Sequence, residues 1–379
     1  MARFFLFFLI MTSNFYAVAQ ELCTDYVKCR DQFLKTALEI SSVQVKSHPI
    51  SKSDGELFVD EALISFGSKK LVVVVSGTHG VEGFVGSYVQ SALLKKIAKE
   101  KTYQNHDFLF VHALNPWGFK HRRRVTENNV DLNRNFLNPD EFSHKKNQGY
   151  SQLNEFLSPQ DEASSTGWSF VQFSFSALLK IAKYGMDSLR QSIVSGQYEF
   201  PQGIFYGGAS PEPQQALLGK ILFETFKRYD RILFIDLHTG YGAKGVLHLF
   251  PSVPDAKAKS RIEEVFAGWP ITYGHQKDFY EVSGAVTDWV YGQVPPEKYF
   301  VPMVFEYGTM DSQKTMGSVQ SLYRMRGENQ MHWRGAASKN DEEKIKKDFF
   351  EMFAPQDQEW NAKVLEQTFK VFDKTLTLF

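Results

Sequence analysis

Cysteine is nearly absent from this chain: Cys23 and Cys29 are the only two in 379 residues. No further cysteine exists to complete a thiolate zinc site. In an exported protein the pair would suit a local disulfide, though so small a loop would constrain little of the unfolded chain. An excess of one charge is lacking too. Lys and Arg number 43 and Asp and Glu also 43, so no global field draws the protein to nucleic acid or to an anionic membrane. Long apolar runs are missing except at the start, where Arg3 precedes Phe4 to Met11 and Ala17-Val18-Ala19 offers a small-x-small cleavage site before Gln20. That run is shorter than the roughly 20 residues needed to span a bilayer. Residues 1–19 therefore read as a signal peptide, with export to a periplasm or to the medium and no stable membrane insertion after cleavage. There is no internal repeat and no break in composition, so residues 20–379 are expected to form one catalytic domain, its core at about 65–310 and a helical segment at 311–379.

What the chain does have is a run of five apolar, mostly β-branched residues, Leu71 to Val75, followed by Ser76-Gly77-Thr78-His79-Gly80-Val81-Glu82-Gly83. The run reads as a fully buried strand ended by small residues, with His79 and Glu82 on the turn. Gly83 to Lys99 has apolar residues at helical spacing, and Phe108 to Leu114 is a second buried strand. Strand, helix and strand of these lengths make a βαβ unit. The expected fold is α/β: a mixed, mostly parallel central sheet flanked by helices. Helices are predicted over Asp31–Ile40, Phe170–Tyr184, Gln214–Tyr229, Ser318–Met325, Asp341–Met352 and Trp360–Phe372. Further strands are predicted at Val43–Val45, Leu57–Phe66, Arg231–His238, Val246–Phe250, Ile271–Tyr273 and Tyr299–Tyr307.

His79 and Glu82 alone carry little weight, because 10 histidines and 43 acidic residues give about one His-x-x-acid by chance. A third candidate ligand, His238, ends another apolar strand. His, Glu and His with an open fourth position is the layout of a catalytic zinc site. The structural alternative for His238 is a core histidine satisfied by a carboxylate. Asp236, two residues earlier, is placed either to fix an imidazole tautomer or toward solvent. Glu306, at the end of Val301 to Phe305, fits a general base that takes a proton from water and delivers it to a leaving amine. As a structural residue it would be a salt-bridge partner. The segment from Arg122 to Phe136 is polar yet anchored by Val125, Val130, Leu132 and Phe136, a pattern better explained by function than by packing.

His79-x-x-Glu82, Asn133-Arg134, Asp236-Leu237-His238, Tyr280-x-x-Ser283-Gly284-x-x-x-Asp288-Trp289 and Phe305-Glu306 stand in the order found in the zinc carboxypeptidase family, which the chain resembles over about residues 65 to 310. The resemblance is to a bacterial branch without a settled function. It implies a carboxypeptidase-like sheet and one Zn²⁺ per chain on His79, Glu82 and His238, with Glu306 as general base. Asn133 and Arg134 would grip the terminal carboxylate of a peptide, a task suited to a planar guanidinium. Tyr280 would close over the substrate, and Thr287 would line the side-chain pocket without selecting a charge. Arg124 or Arg123 would stabilise the oxyanion. Two other readings use the same ligands: an aspartoacylase-type zinc deacylase acting on N-acyl amino acids, and a zinc-bound protein without activity. The segment from Tyr280 to Trp289 argues against the first, and an intact Glu306 against the second.

Overall fold

Val72 to Val75 lie at the middle of a seven-stranded sheet in the computed structural model, which describes residues 22–50, 57–251, 255–273 and 282–379. The segment read as a signal peptide and Tyr280 both fall outside the described residues. The strands are β1 (Val43–Pro49), β2 (Phe58–Ile64), β3 (Lys70–Ser76), β4 (Asp107–His112), β5 (Arg231–Gly240), β6 (Leu247–Phe250) and β7 (Tyr299–Gly308). Their order across the sheet is β1-β2-β4-β3-β5-β7-β6. The four central strands, β4, β3, β5 and β7, run parallel, while β1, β2 and β6 pair antiparallel at the two edges. This is the mixed, mostly parallel sheet flanked by helices that the apolar runs predict.

Parallel strands read as continuous apolar runs because both faces are covered. On one face Val72, Val74, Phe110 and Ile235 pack with Val85 and Val89 of the helix Gly83–Lys99 and with Phe372 of the helix Gln358–Leu378. On the other face Val73, Val75, Leu109 and Phe234 meet Leu218 and Leu222 of the helix Pro213–Phe226 and Val286 and Val290 of the helix Val286–Gln293. Each such side chain, fully withdrawn from water, contributes roughly 1.5–3 kcal/mol.

Several boundaries differ from expectation for identifiable reasons. The first helix runs Tyr26–Leu38 rather than Asp31–Ile40, because Asp25 caps it by accepting from the Lys28 N–H and because Cys29 and Phe33 are buried on its inner side. Ile271–Tyr273 makes no strand; Ile271 forms a single bridge to Leu249. The last three helices extend to Thr315–Arg334, Lys339–Phe353 and Gln358–Leu378, since their polar outer turns carry no apolar period to read. Cys23 and Cys29 are joined in a disulfide with their Cα atoms 5.5 Å apart.

Candidate metal centre

Three adjacent parallel strands deliver the candidate ligands. In an open α/β sheet the crevice beyond the carboxyl ends of the strands is where ligands collect. His79 and Glu82 follow the end of β3, His238 is in β5, and Glu306 in β7 stands directly opposite His238 in the strand register. Side chains two apart on a strand share a face, so Asp236 and His238 point together on the side covered by the helices Pro213–Phe226 and Val286–Gln293. The turn after β3 is tight. Gly77 has φ +69°, a left-handed conformation that favours glycine. A Cβ on Gly80 would come within 2.1 Å of the Gly118 carbonyl carbon, so only glycine fits against that backbone. Gly80 and Val81 N–H groups donate to the carbonyls of Arg124 and Arg123, which ties the turn to the arginine segment.

His79, Glu82 and His238 come together as a buried cluster, with one ligating atom of each within 4.8 Å of the others. His79 Nδ1 is 2.8 Å from Glu82 Oε1, His238 Nδ1 is 3.1 Å from Glu82 Oε2, and the two Nδ1 atoms are 3.1 Å apart. Each imidazole is held from behind. His79 Nε2 lies 3.0 Å from Asp131 Oδ1, and His238 Nε2 lies 2.8 Å from Asp236 Oδ2, a carboxylate whose Oδ1 accepts from Thr78 Oγ1. In a neutral imidazole a carboxylate at Nε2 favours the proton there and turns the Nδ1 lone pair to the cluster; this holds most simply for His238, since at His79 Nε2 the Asp131 carboxylate and Arg124 Nη2 both approach. Nitrogen lone pairs and a carboxylate converging on one point repel each other unless a cation or a proton lies between them. Ligands tetrahedral about zinc at about 2.0–2.1 Å sit roughly 3.3 Å apart, close to the separations here, and two imidazoles with one carboxylate suit that metal. The residues therefore fit a zinc ion.

The buried charges shift the groups of the cluster strongly, and in the absence of a cation they favour a proton on His238. Burial opposes the charge on Glu82, but His79, His238 and Arg124 overcome it and hold the carboxyl below its ordinary range. Burial likewise opposes the charge on Asp131, yet Arg124, His79 and Arg134 keep it well below the usual carboxylate value. His238 is raised well above an ordinary histidine, against its burial, by Asp236 and Glu82. Glu306 moves the other way. Burial and the nearby Glu82 charge push it up to about 8, although Oε1 accepts from the Tyr241 N–H at 2.8 Å.

The remaining predicted residues divide. Arg124 reaches the cluster: Nη1 donates to Glu82 Oε1 at 2.9 Å and Nε to Asp131 Oδ2 at 3.1 Å, with Nη2 2.7 Å from His79 Nε2. Arg123 points elsewhere, into a buried ion pair with Glu328 at 2.7 Å and a bond to Asn129. A cavity of about 800 Å³ opens on the cluster and on Glu306, and its wall includes Arg124, Asn133, Arg134 and Thr287 but not Arg123. Arg134 is 2% exposed. Its guanidinium is fixed by the carbonyls of Val194 and Asn133, bonds that use three of its five N–H groups. Asn133 Oδ1 accepts from the Val286 N–H, so it also anchors the helix whose first turn carries Thr287. Asp131 bridges a ligand and Arg124. Reading the sequence assigned it no role, and the available signal was its place two residues before Asn133 in the patterned loop.

A family model described as a protein of unknown function, DUF2817, matches residues 22–367. The chain belongs to that family. No curated protein matches it. Solved structures that resemble it include bovine thrombin-activatable fibrinolysis inhibitor in complex with tick carboxypeptidase inhibitor, at 14% identity over 81% of this chain and 95% of that one, with a TM-score of 0.48. Carboxypeptidase A from Helicoverpa armigera is 16% identical over 83% of this chain and 74% of its own, with a TM-score of 0.45. A metallo-carboxypeptidase from Pseudomonas aeruginosa, bound to (2-guanidinoethylmercapto)succinic acid, is 14% identical over 79% and 66%, with a TM-score of 0.41. Likenesses at this level fix neither a metal nor a substrate for this chain.

Proposed function

We propose that this protein is an exported zinc carboxypeptidase that hydrolyses the C-terminal peptide bond of a peptide. The observation that carries this reading is that the buried His79, Glu82, His238 cluster, Glu306 and the buried Arg134 all open on one cavity. Zinc bound to the three ligands would polarise the scissile carbonyl and acidify water toward neutral pH. Asn133 and Arg134 hold the substrate's terminal carboxylate, with the guanidinium already fixed by Val194 and Asn133. Glu306 takes the proton of the attacking water and passes it to the leaving amine. Its raised pKa suits proton storage, and a cation beside it would draw that value back down. Arg124 is the donor beside the ligands for charge that develops on the carbonyl oxygen. Thr287, buried in the cavity wall, offers no charge to select a basic or acidic side chain. Export belongs to the same proposal, since the Cys23–Cys29 bond suits an oxidising compartment.

The test is a panel of peptides offered with free and with amidated C-termini, alongside N-acyl amino acids, to the zinc-loaded protein. Release of the last residue from free peptides alone is expected, and Arg134→Lys should raise KM for them. Equal cleavage of amides would refute the carboxylate anchor, and turnover of N-acyl amino acids only would replace the peptidase reading with a deacylase.

A further inference from the structure

The helix Gly167–Tyr184 is apolar on two sides, and only one of them is buried. Phe173 and Ala177 pack inward against Val319, with Ile181 and Tyr323 beside them. On the outer side Trp168 is 68% exposed, Val171 53%, Phe175 64%, Leu178 43% and Leu179 55%. With Tyr184, they make up six of the twelve large apolar side chains that stand exposed among the described residues. At 3.6 residues per turn, those five side chains from 168 to 179 fall within about 100° of the helix circumference. Scattered exposed apolar residues are ordinary; here five of them share one side of one helix.

The chemistry of the stripe points to one occupant. From Gly167 to Tyr184 there is no Asp or Glu; exposed Lys183 borders the stripe, while Lys180 lies toward the inner side with its Nζ over the Phe156 ring. Trp168, in the first turn and on the stripe, is a residue type that settles at a membrane interface. A cationic flank beside a Trp-, Phe- and Leu-bearing face is the pattern of a helix that lies in the plane of a bilayer. A second copy of the chain fits less well. From Trp168 to Leu179 the stripe is about 17 Å long at 1.5 Å per residue and, at a width of about 10 Å, covers on the order of 170 Å². That is well under the roughly 800 Å² per partner of a stable dimer. The cavity shares this helix, because Ala177 and Ile181 form part of its wall.

We propose that the outer face of the helix Gly167–Tyr184 docks the protein on an anionic lipid surface, holding one wall of the cavity at the bilayer. Docking is peripheral, and no helix among the described residues is long and apolar enough to cross a membrane. The absence of a net charge is no obstacle, since the local flank supplies the attraction and the stripe supplies burial. The proposal does not depend on which bond the cavity cleaves.

Co-sedimentation of the chain from Gln20 onward, which carries the whole described fold, tests it with vesicles of phosphatidylglycerol and phosphatidylethanolamine against vesicles of phosphatidylcholine alone. Binding to the anionic vesicles is expected. The exposed-site double variant F175S/L179S should weaken it at least tenfold with an unchanged circular dichroism spectrum, and K183E should reduce the preference for anionic lipid. Failure of the wild type to bind, or equal binding by wild type and F175S/L179S, would overturn the proposal. So would a dimer in sedimentation velocity that F175S/L179S converts to monomer while vesicles leave the wild type in solution.

Discussion

At the scale of single residues, the carboxylates behind the histidines decide whether the site is a metal centre. Asp131 bonds His79 Nε2 and receives Arg124 Nε. Asp131→Asn keeps the volume but loses the charge that fixes the imidazole tautomer. Metal affinity, measured by competition with a chromophoric chelator, should fall about 10–100-fold; an unchanged affinity would mean that His79 needs no such partner. Glu306 gives a second test, in metal-free protein. Its folded-state value of about 8 lies above the ordinary 4.5, so the folded chain holds a proton that the unfolded chain releases. The stability this contributes is complete below about 4.5 and is lost as pH rises through about 8. Denaturant unfolding in chelator should thus show a fall in stability over that window, and Glu306→Gln should make it shallower, leaving the part that His238, also raised, contributes above the ordinary histidine value. A slope unaffected by the substitution would show that another group binds the proton. Much at this scale was readable in advance, because His79, Glu82, His238 and Glu306 each interrupt or end an apolar run. Choosing between Arg123 and Arg124 was not, since adjacent arginines look alike until Glu328, far along the chain, claims Arg123. Asp131 was hidden for the same reason: its partners are set by the fold and not by spacing.

At the scale of elements, the turn after β3 places two of the three candidate ligands, and its geometry depends on close backbone approach. A Cβ at Gly80 would meet the Gly118 backbone at 2.1 and 2.4 Å, atoms that cannot rotate away. Gly80→Ala should cost about 1–3 kcal/mol as overpacking, seen as a lower denaturation midpoint, and should weaken metal binding more than the same stability loss at a distant site does. Wild-type stability in Gly80→Ala would show that the turn has room to shift. The run Leu71–Val75 made β3 legible, and the helical period of Val85, Val89 and Leu93 made the next helix legible to both its ends, Gly83 and Lys99. Ile271–Tyr273 misled because a short apolar triplet looks the same whether it enters the sheet or touches it once. The exposed stripe on Gly167–Tyr184 also escapes a reading by period, since a helix apolar on both sides registers simply as buried.

For the whole molecule, the parallel centre of the sheet is what makes a site at all. Running β3, β5 and β7 in one direction sets His79, Glu82, His238 and Glu306 at one edge, where the helices of either face leave a cavity. The alternation of strand and helix in the sequence foretold that arrangement. The antiparallel pairing of β1 with β2 was foreseeable from the partly alternating Leu57–Phe66, whereas order across a sheet depends on pairings such as β2 with β4 that join segments far apart in the chain. The central claim is that His79, Glu82 and His238 together hold one catalytic zinc, and metal analysis of the purified chain beside His79→Ala and His238→Ala, each paired with a peptidase assay, tests it most directly. About one zinc per chain in the wild type, little in either variant, and hydrolysis that disappears with chelator and returns with added zinc is the predicted result. Peptide hydrolysis by metal-free wild type, or zinc retained at full occupancy in both variants, would contradict it.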